Sequence, residues 1–418
     1  MSSQNYPYQG PVPIFLPYDY EARATKVLLL EYACENFNQC KMGGVFSRRS
    51  LSRQESISFS ENHTNEPLLK CIPKPMAKDA ILVQKAILHI TEVRKSKAFD
   101  GGPRDLYKLI RHHEELIDEA YCVLMKQTSG SRGQPFINTM KLTAFIAKFL
   151  LPSEELRPLV LSHFCKTVKI AKQLDEACYE AACFALIRVN GRIWSHTSIE
   201  MKKENGKHAY DDINSESICY SCSIEEVMFH QRKKFPNLCV PYFLIKSFDK
   251  FFELGAEKTE GIFRLPGSMN RIQEAALKLN RGEADSFAGL GAMDMATMIK
   301  QWFRNIEGWL IPEEFAQEHI YKVVSAEQIR AAADKLPELT KYTLMYLVGV
   351  LRRLSAAKDI TNMGGDNLAM TFAMNMSYCD ENDRIKLSQN NSFMHAFLAE
   401  LIVSWDVSQI YPLPENVL

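Results

Sequence analysis

One arginine has the setting of a catalytic group presented to something outside the chain. Residues Thr259 to Ser268 read Thr-Glu-Gly-Ile-Phe-Arg-Leu-Pro-Gly-Ser. Ile262 and Phe263 are apolar enough to pin a short loop to a core, while Pro266 and Gly267 stop any regular element from continuing past the arginine. Arg264 is thereby pushed outward on a rigid support. Its guanidinium is permanently charged and planar, and its paired N–H donors suit two phosphoryl or carboxylate oxygens at once. The plainer reading is a surface arginine paired with a nearby carboxylate.

Three helices have to hold such a loop. Upstream, Pro241 to Leu254 is amphipathic, with Leu244, Phe248, Phe251 and Phe252 on one stripe, proline at its start and Gly255 at its end. Downstream, Asp294 is placed to cap a helix in which Met295, Met298, Ile299, Trp302 and Phe303 fall at i, i+3, i+4, i+7 and i+8. Lys300 and Arg304 lie one turn apart at the edge of that stripe. Like charges so spaced cost an isolated helix about 0.2 to 0.5 kcal/mol, which an acidic or phosphate-bearing partner over that edge would offset. Basic residues kept for solubility are the other reading. The third helix opens at Asp366 after Gly364 and Gly365, with Leu368 and Phe372 inward and Asn367 in its first turn, where a capping role competes with a binding one. Leu339 to Leu354, and Phe393 to Trp405 capped by Ser392, complete the set as core helices.

The loop resembles the arginine-finger loop of the Rho-type GTPase-activating proteins, whose pattern is Glu-Gly-Ile-Phe-Arg followed two residues later by Gly-Ser. Glu260, Gly261, Ile262, Phe263, Arg264, Gly267 and Ser268 fill it. Lys300, Arg304, Leu310 and Pro312 match a second motif of that family, and Asn367-Leu368-Ala369 a third, in family order over roughly Ser221 to Ile410. The resemblance implies an all-α domain in which Arg264 enters the nucleotide site of a GTP-bound Rho-family small GTPase. It further implies that Arg304 braces the loop and that Lys300 and Asn367 contact the GTPase. Arginine fingers raise GTPase rates by about 10³ to 10⁵. The chain departs from the family at Asn305 to Trp309, where two prolines are missing, and at Met374, where a proline is expected. A non-catalytic adaptor that binds the same GTPases is the alternative function. No Gly-x-x-x-x-Gly-Lys-Ser/Thr loop occurs, so no cofactor of its own is expected; GTP and Mg²⁺ would come with the partner.

The remaining chain sets the context. Its 418 residues are enough for two or three domains. The 50 basic and 50 acidic side chains cancel, which gives no global field toward nucleic acid or an anionic membrane. Cysteines without paired spacing, no signal-like start and no long apolar run predict a cytoplasmic protein without a transmembrane segment. Residues 1–76 read as a mostly disordered leader rich in Ser, Tyr and Pro. Arg49 and Arg53 stand three residues before Ser52 and Ser56, the spacing a basophilic kinase reads; a plain flexible linker is the alternative. Residues 77–195 form four to five helices of a small bundle of unknown role, including single helices over 104–126 and 158–189. A polar linker over 196–219 leads into the domain at 220–410, and 411–418 is a tail. Cys219, Cys222, His230 and Cys239 lack the tight second pair of a zinc site.

Overall fold

A computed structural model describes residues 6–24, 28–42, 49–194, 201, 210, 212–215, 218–283, 285–376 and 384–414. The described residues are all-α apart from one antiparallel pair of two-residue strands, Lys41–Met42 with Arg49–Ser50, and an isolated bridge between Phe37 and Leu69. The chain divides into two compact units, one made of Leu16–Asn214 and the other of Met1–Phe15 with Ser215–Leu418.

The first unit is built on helices Ala77–Ile90, Pro103–Ile110, Glu114–Thr128, Gly133–Phe149, Arg157–Ala171 and Glu176–Ile193. The helix expected over 104–126 breaks in two because His113 is extended, at φ −133° and ψ 105°, and starts a new helix whose first turn carries Glu114 and Glu115. Acidic side chains there complement the free N–H groups. The run expected over 158–189 breaks likewise, because an Asp175 carboxylate oxygen accepts the Cys178 N–H at 2.8 Å and caps a fresh start.

Several described residues of 1–76, expected as a mostly disordered leader, are buried. Phe37, Leu68 and Leu69 are buried. The buried Glu119 carboxylate accepts the backbone N–H groups of Leu68 at 2.7 Å and Leu69 at 2.9 Å and an amide N–H of Gln84 at 3.0 Å. The buried Lys126 ammonium donates to the carbonyls of Glu55 at 3.0 Å and Ser58 at 2.8 Å. A segment without periodicity is thus held through its backbone by polar groups inside the bundle, an arrangement that composition does not report. Most of the expected linker at 196–219 lies outside the described residues.

The second unit holds the arginine loop. Its helices include Ile224–Gln231, Tyr242–Glu253, Met269–Asn280, Ala292–Arg304, Glu338–Ala356, Gly365–Ala373 and Arg384–Ser404. The last begins well before the expected cap: Ser392 is interior, its hydroxyl donating to the Ser388 carbonyl at 2.9 Å. Arg352 closes that helix by donating to the carbonyls of Leu401 at 2.8 Å, Ile402 at 2.5 Å and Trp405 at 2.5 Å, groups a helix end leaves unpaired. The expected tail begins with a docked residue, since the Tyr411 ring lies edge-on to Tyr346 at 5.8 Å.

Candidate functional site

The apolar half of the loop is anchored first. Ile262 and Phe263 are fully buried. The Phe263 ring packs between Phe251 of helix Tyr242–Glu253 at 5.1 Å and Phe372 of helix Gly365–Ala373 at 5.0 Å. Phe372 in turn meets Phe303 of helix Ala292–Arg304 at 5.8 Å, so three helices converge beneath the loop. Phe263 adopts φ +65°, a left-handed conformation that costs a bulky residue about 1 to 3 kcal/mol and persists only where packing over-determines it. The turn reverses the chain between a buried ring and Arg264, which is exposed.

The loop backbone is then fixed at both ends. Gly261 donates to the Thr361 carbonyl at 2.8 Å, and its own carbonyl accepts the N–H groups of Arg264 at 2.9 Å and Leu265 at 3.0 Å. Gly261 sits at φ +68°, and a Cβ there would come within 3.1 Å of the Leu265 side chain. At the far end Gly267 donates to the Thr297 hydroxyl at 2.8 Å and Ser268 to an Asp294 carboxylate oxygen at 2.7 Å. A Cβ on Gly267 would lie 2.6 Å from the Asp294 Cα, so the chain passes there only as glycine.

Asp294 was expected as the N-cap of its helix. It stands instead at the third position, behind an N-cap at Gly291 whose N–H its carboxylate accepts at 3.0 Å. From there it also holds Ser268 and pairs with Arg271 at 3.0 Å. With glycine at the N-cap only the returning half of a capping box is made, from the Gly291 N–H to Asp294; nothing in the sequence announced the second duty toward the loop.

The resemblance implied that Arg304 braces the loop; the side chain that holds it is Lys300, one turn earlier on the same helix. The half-buried Lys300 ammonium donates to the Phe263 carbonyl, so the lysine braces the loop at its left-handed residue. Burial pulls its pKa below the usual lysine range. Arg304 is exposed, and among the described residues no hydrogen bond joins its side chain to the loop.

Asn367 is exposed in the first turn of helix Gly365–Ala373, whose N-cap is Gly364. Its amide makes one long contact, 3.4 Å to the Asn362 carbonyl. Asn362, left-handed at φ +56°, donates to the Glu260 carboxylate at 2.8 Å and ties this corner to the start of the arginine loop. Asn367 and the exposed Met370 and Met374 follow at i, i+3 and i+7 along one face. Leu265 and Met269, beside Arg264 in the chain, are also exposed.

The loop at 305–311 stays ordered without the missing prolines. Gly308 at φ +79° and Trp309 at φ +64° make the turn, while Leu310 and Ile311 are buried. Thr340 donates its hydroxyl to the Leu310 carbonyl at 2.8 Å, and the Ile311 N–H donates to Met376 at 2.9 Å.

The two serines lie in the other unit. Ser52 caps the helical turn Arg53–Ser56 in a capping box with Glu55, and Arg49 pairs with Glu55 at 2.7 Å. Ser56 is buried, its hydroxyl donating to the Arg53 carbonyl at 2.6 Å.

Comparison with known proteins places both units. Residues 104–202 match the MyTH4 domain, a family the sequence reading did not see in the bundle, and residues 241–381 match the RhoGAP domain. The chain is 31% identical over 188 residues to GTPase activating protein homolog 4 of Dictyostelium discoideum, covering 43% of this chain and 21% of that protein. It is 28% identical over 167 residues to Rho GTPase-activating protein gacA of the same organism, covering 39% and 48%. The chain thus spans about a fifth of the length of the first and about half of the second. The crystal structure of human Rho GTPase activating protein 15 aligns with a TM-score of 0.42 at 17% identity, over 51% of this chain and 100% of that one. The helices that converge beneath Arg264 therefore belong to a RhoGAP domain, and the bundle that precedes them carries a MyTH4 domain.

Proposed function

We propose that the RhoGAP domain stimulates GTP hydrolysis by a Rho-family small GTPase, with Arg264 as an arginine finger supplied in trans. One observation carries the reading: an exposed arginine follows a strained, aromatic-anchored residue whose carbonyl a lysine holds, and no described carboxylate forms an ion pair with it. An arginine kept for a surface salt bridge has no need of such support. Catalysis would be electrostatic. The guanidinium meets charge that develops on the phosphoryl oxygens, and the partner brings its nucleotide, Mg²⁺ and water. Preorganising the loop lowers the reorganisation needed at the moment of reaction.

Around the finger, Arg304 and Asn367 are the exposed polar groups assigned to the GTPase surface, with Leu265, Met269, Met370 and Met374 as apolar contacts. Lys300 acts from behind the loop. The adaptor alternative makes no use of a braced, unpaired arginine.

Binding to GDP-loaded GTPase with and without a planar phosphoryl mimic tests the proposal. The mimic should tighten the wild-type complex and leave the Arg264→Ala complex unchanged, because the side chain acts on the transition state rather than the ground state. Equal tightening of both complexes would take Arg264 out of the chemistry.

A further inference from the structure

The first fifteen residues belong to the RhoGAP-bearing unit, although some two hundred residues separate them from the rest of it. The described part contains neither helix nor strand and bends on both sides of Tyr8, at Tyr6–Pro7 and Gln9–Gly10. It is fastened mainly by side chains. Tyr6 is buried, and its hydroxyl oxygen accepts the Cys239 N–H at 2.5 Å. Val12 donates to the Pro236 carbonyl at 2.7 Å. Between these points Tyr8 is only half-buried, its ring edge-on to Tyr342 at 6.2 Å. Tyr342 in turn donates its hydroxyl to the Glu338 carboxylate at 2.8 Å, which brings that charge near the Tyr8 phenol and, after burial, helps raise its pKa.

We propose that Tyr8 is a tyrosine-phosphorylation site that releases the segment 6–15 from this unit. A tyrosine kinase takes its substrate as irregular chain outside helices, and Tyr8 lies in such a stretch and is not fully buried. The kinase transfers the γ-phosphoryl group of ATP to the Tyr8 Oη: the new P–O bond forms as the phosphoanhydride breaks, ADP leaves, and the Oη proton is lost to solvent. The product carries close to two negative charges where a neutral hydroxyl met Glu338. Burial, and after it that carboxylate, already pushes the Tyr8 phenol above its usual range. Like charges at this spacing, partly out of water, repel, and the phosphate is larger than the hydroxyl it replaces.

Release has a chemical marker. Cys239 is fully buried with Tyr6 against it, and burial pushes its thiol up to about 12, so departure of the segment should raise its reactivity at neutral pH. Departure of Tyr6 also leaves the Cys239 N–H without its acceptor, just before helix Tyr242–Glu253, whose Phe251 supports Phe263.

The test uses the full chain, a purified broad-specificity tyrosine kinase, ATP and Mg²⁺. Peptide mass spectrometry reads phosphate at Tyr8 and N-ethylmaleimide uptake at Cys239. Phosphorylation should raise the Cys239 labelling rate by about tenfold or more, with phosphatase restoring protection and Cys122 of the other unit unaffected. Tyr8→Glu should raise it without a kinase, and in Glu338→Gln the phosphate-induced rise should be clearly smaller. Full phosphorylation with Cys239 still protected overturns the release. A folded chain left unmodified while a peptide of residues 1–15 is phosphorylated overturns the site. An undiminished rise in Glu338→Gln overturns its electrostatic basis.

Discussion

Replacing Lys300 with methionine keeps the length and packing of the stem and removes one donor, the ammonium that holds the Phe263 carbonyl. That carbonyl belongs to the left-handed residue immediately before Arg264. A hydrogen bond to a charged group contributes about 1.5 to 3 kcal/mol, and because Lys300 is half-buried, with water able to replace part of it, the lower end applies. At 1.36 kcal/mol per factor of ten, loosening the loop by about 1.5 kcal/mol lowers the stimulated rate about tenfold. If the lysine acts through the loop and not at the interface, the loss should appear in the single-turnover rate at saturating RhoGAP protein. Half-saturation should move little and keep its salt dependence. The reasoning is refuted if Lys300→Met keeps the maximal rate and instead loses affinity most steeply at low salt, which is the behaviour of a charge at the interface.

Three further outcomes follow from the same structure. Arg304→Ala should weaken GTPase binding about threefold to tenfold at low salt and much less at high salt, with an unchanged melting temperature, because the side chain is exposed and braces nothing described; a titration across a salt series reads it. Gly267→Ala forces a Cβ against the Asp294 backbone at 2.6 Å and should lower the melting temperature and the stimulated rate together, an overpacking cost of about 1 to 3 kcal/mol measurable by urea unfolding. Glu119, buried away from charge partners, has its pKa raised from 4.5 to about 7. The folded state therefore keeps a proton that the unfolded state releases, and stability falls as pH rises from about 4.5 to about 7, by about 3 kcal/mol at 1.36 kcal/mol per pH unit. Glu119→Gln should flatten that dependence in urea midpoints taken across this range.

What the sequence made legible, and what it hid, divides by the range of the interaction. Helix Tyr242–Glu253, the buried stripe from Met295 to Phe303 and the exposed Arg264 between Phe263 and Pro266 all rest on local periodicity and turn chemistry. Element ends were read less well where one polar side chain decides them, as Asp175 and Asp294 do. Long-range polar contacts left no local trace. Glu119 reaches back 50 residues to Leu69, and Tyr6 forward 233 residues to Cys239, so stretches that look unstructured by composition are packed. That Lys300 holds the loop was hidden for the same reason: spacing places Lys300 and Arg304 on one helix edge and says nothing of which one reaches a carbonyl 37 residues away.

The central claim rests on Arg264, and single-turnover GTP hydrolysis by purified Rho-family GTPases tests it most directly. The full chain should accelerate at least one of them, and Arg264→Ala should lower that acceleration by about 10³-fold or more while binding to the GTP-loaded partner changes far less. An alanine variant that stimulates hydrolysis as well as the wild type, or a wild type that binds GTP-loaded partners and accelerates none, would contradict the finger.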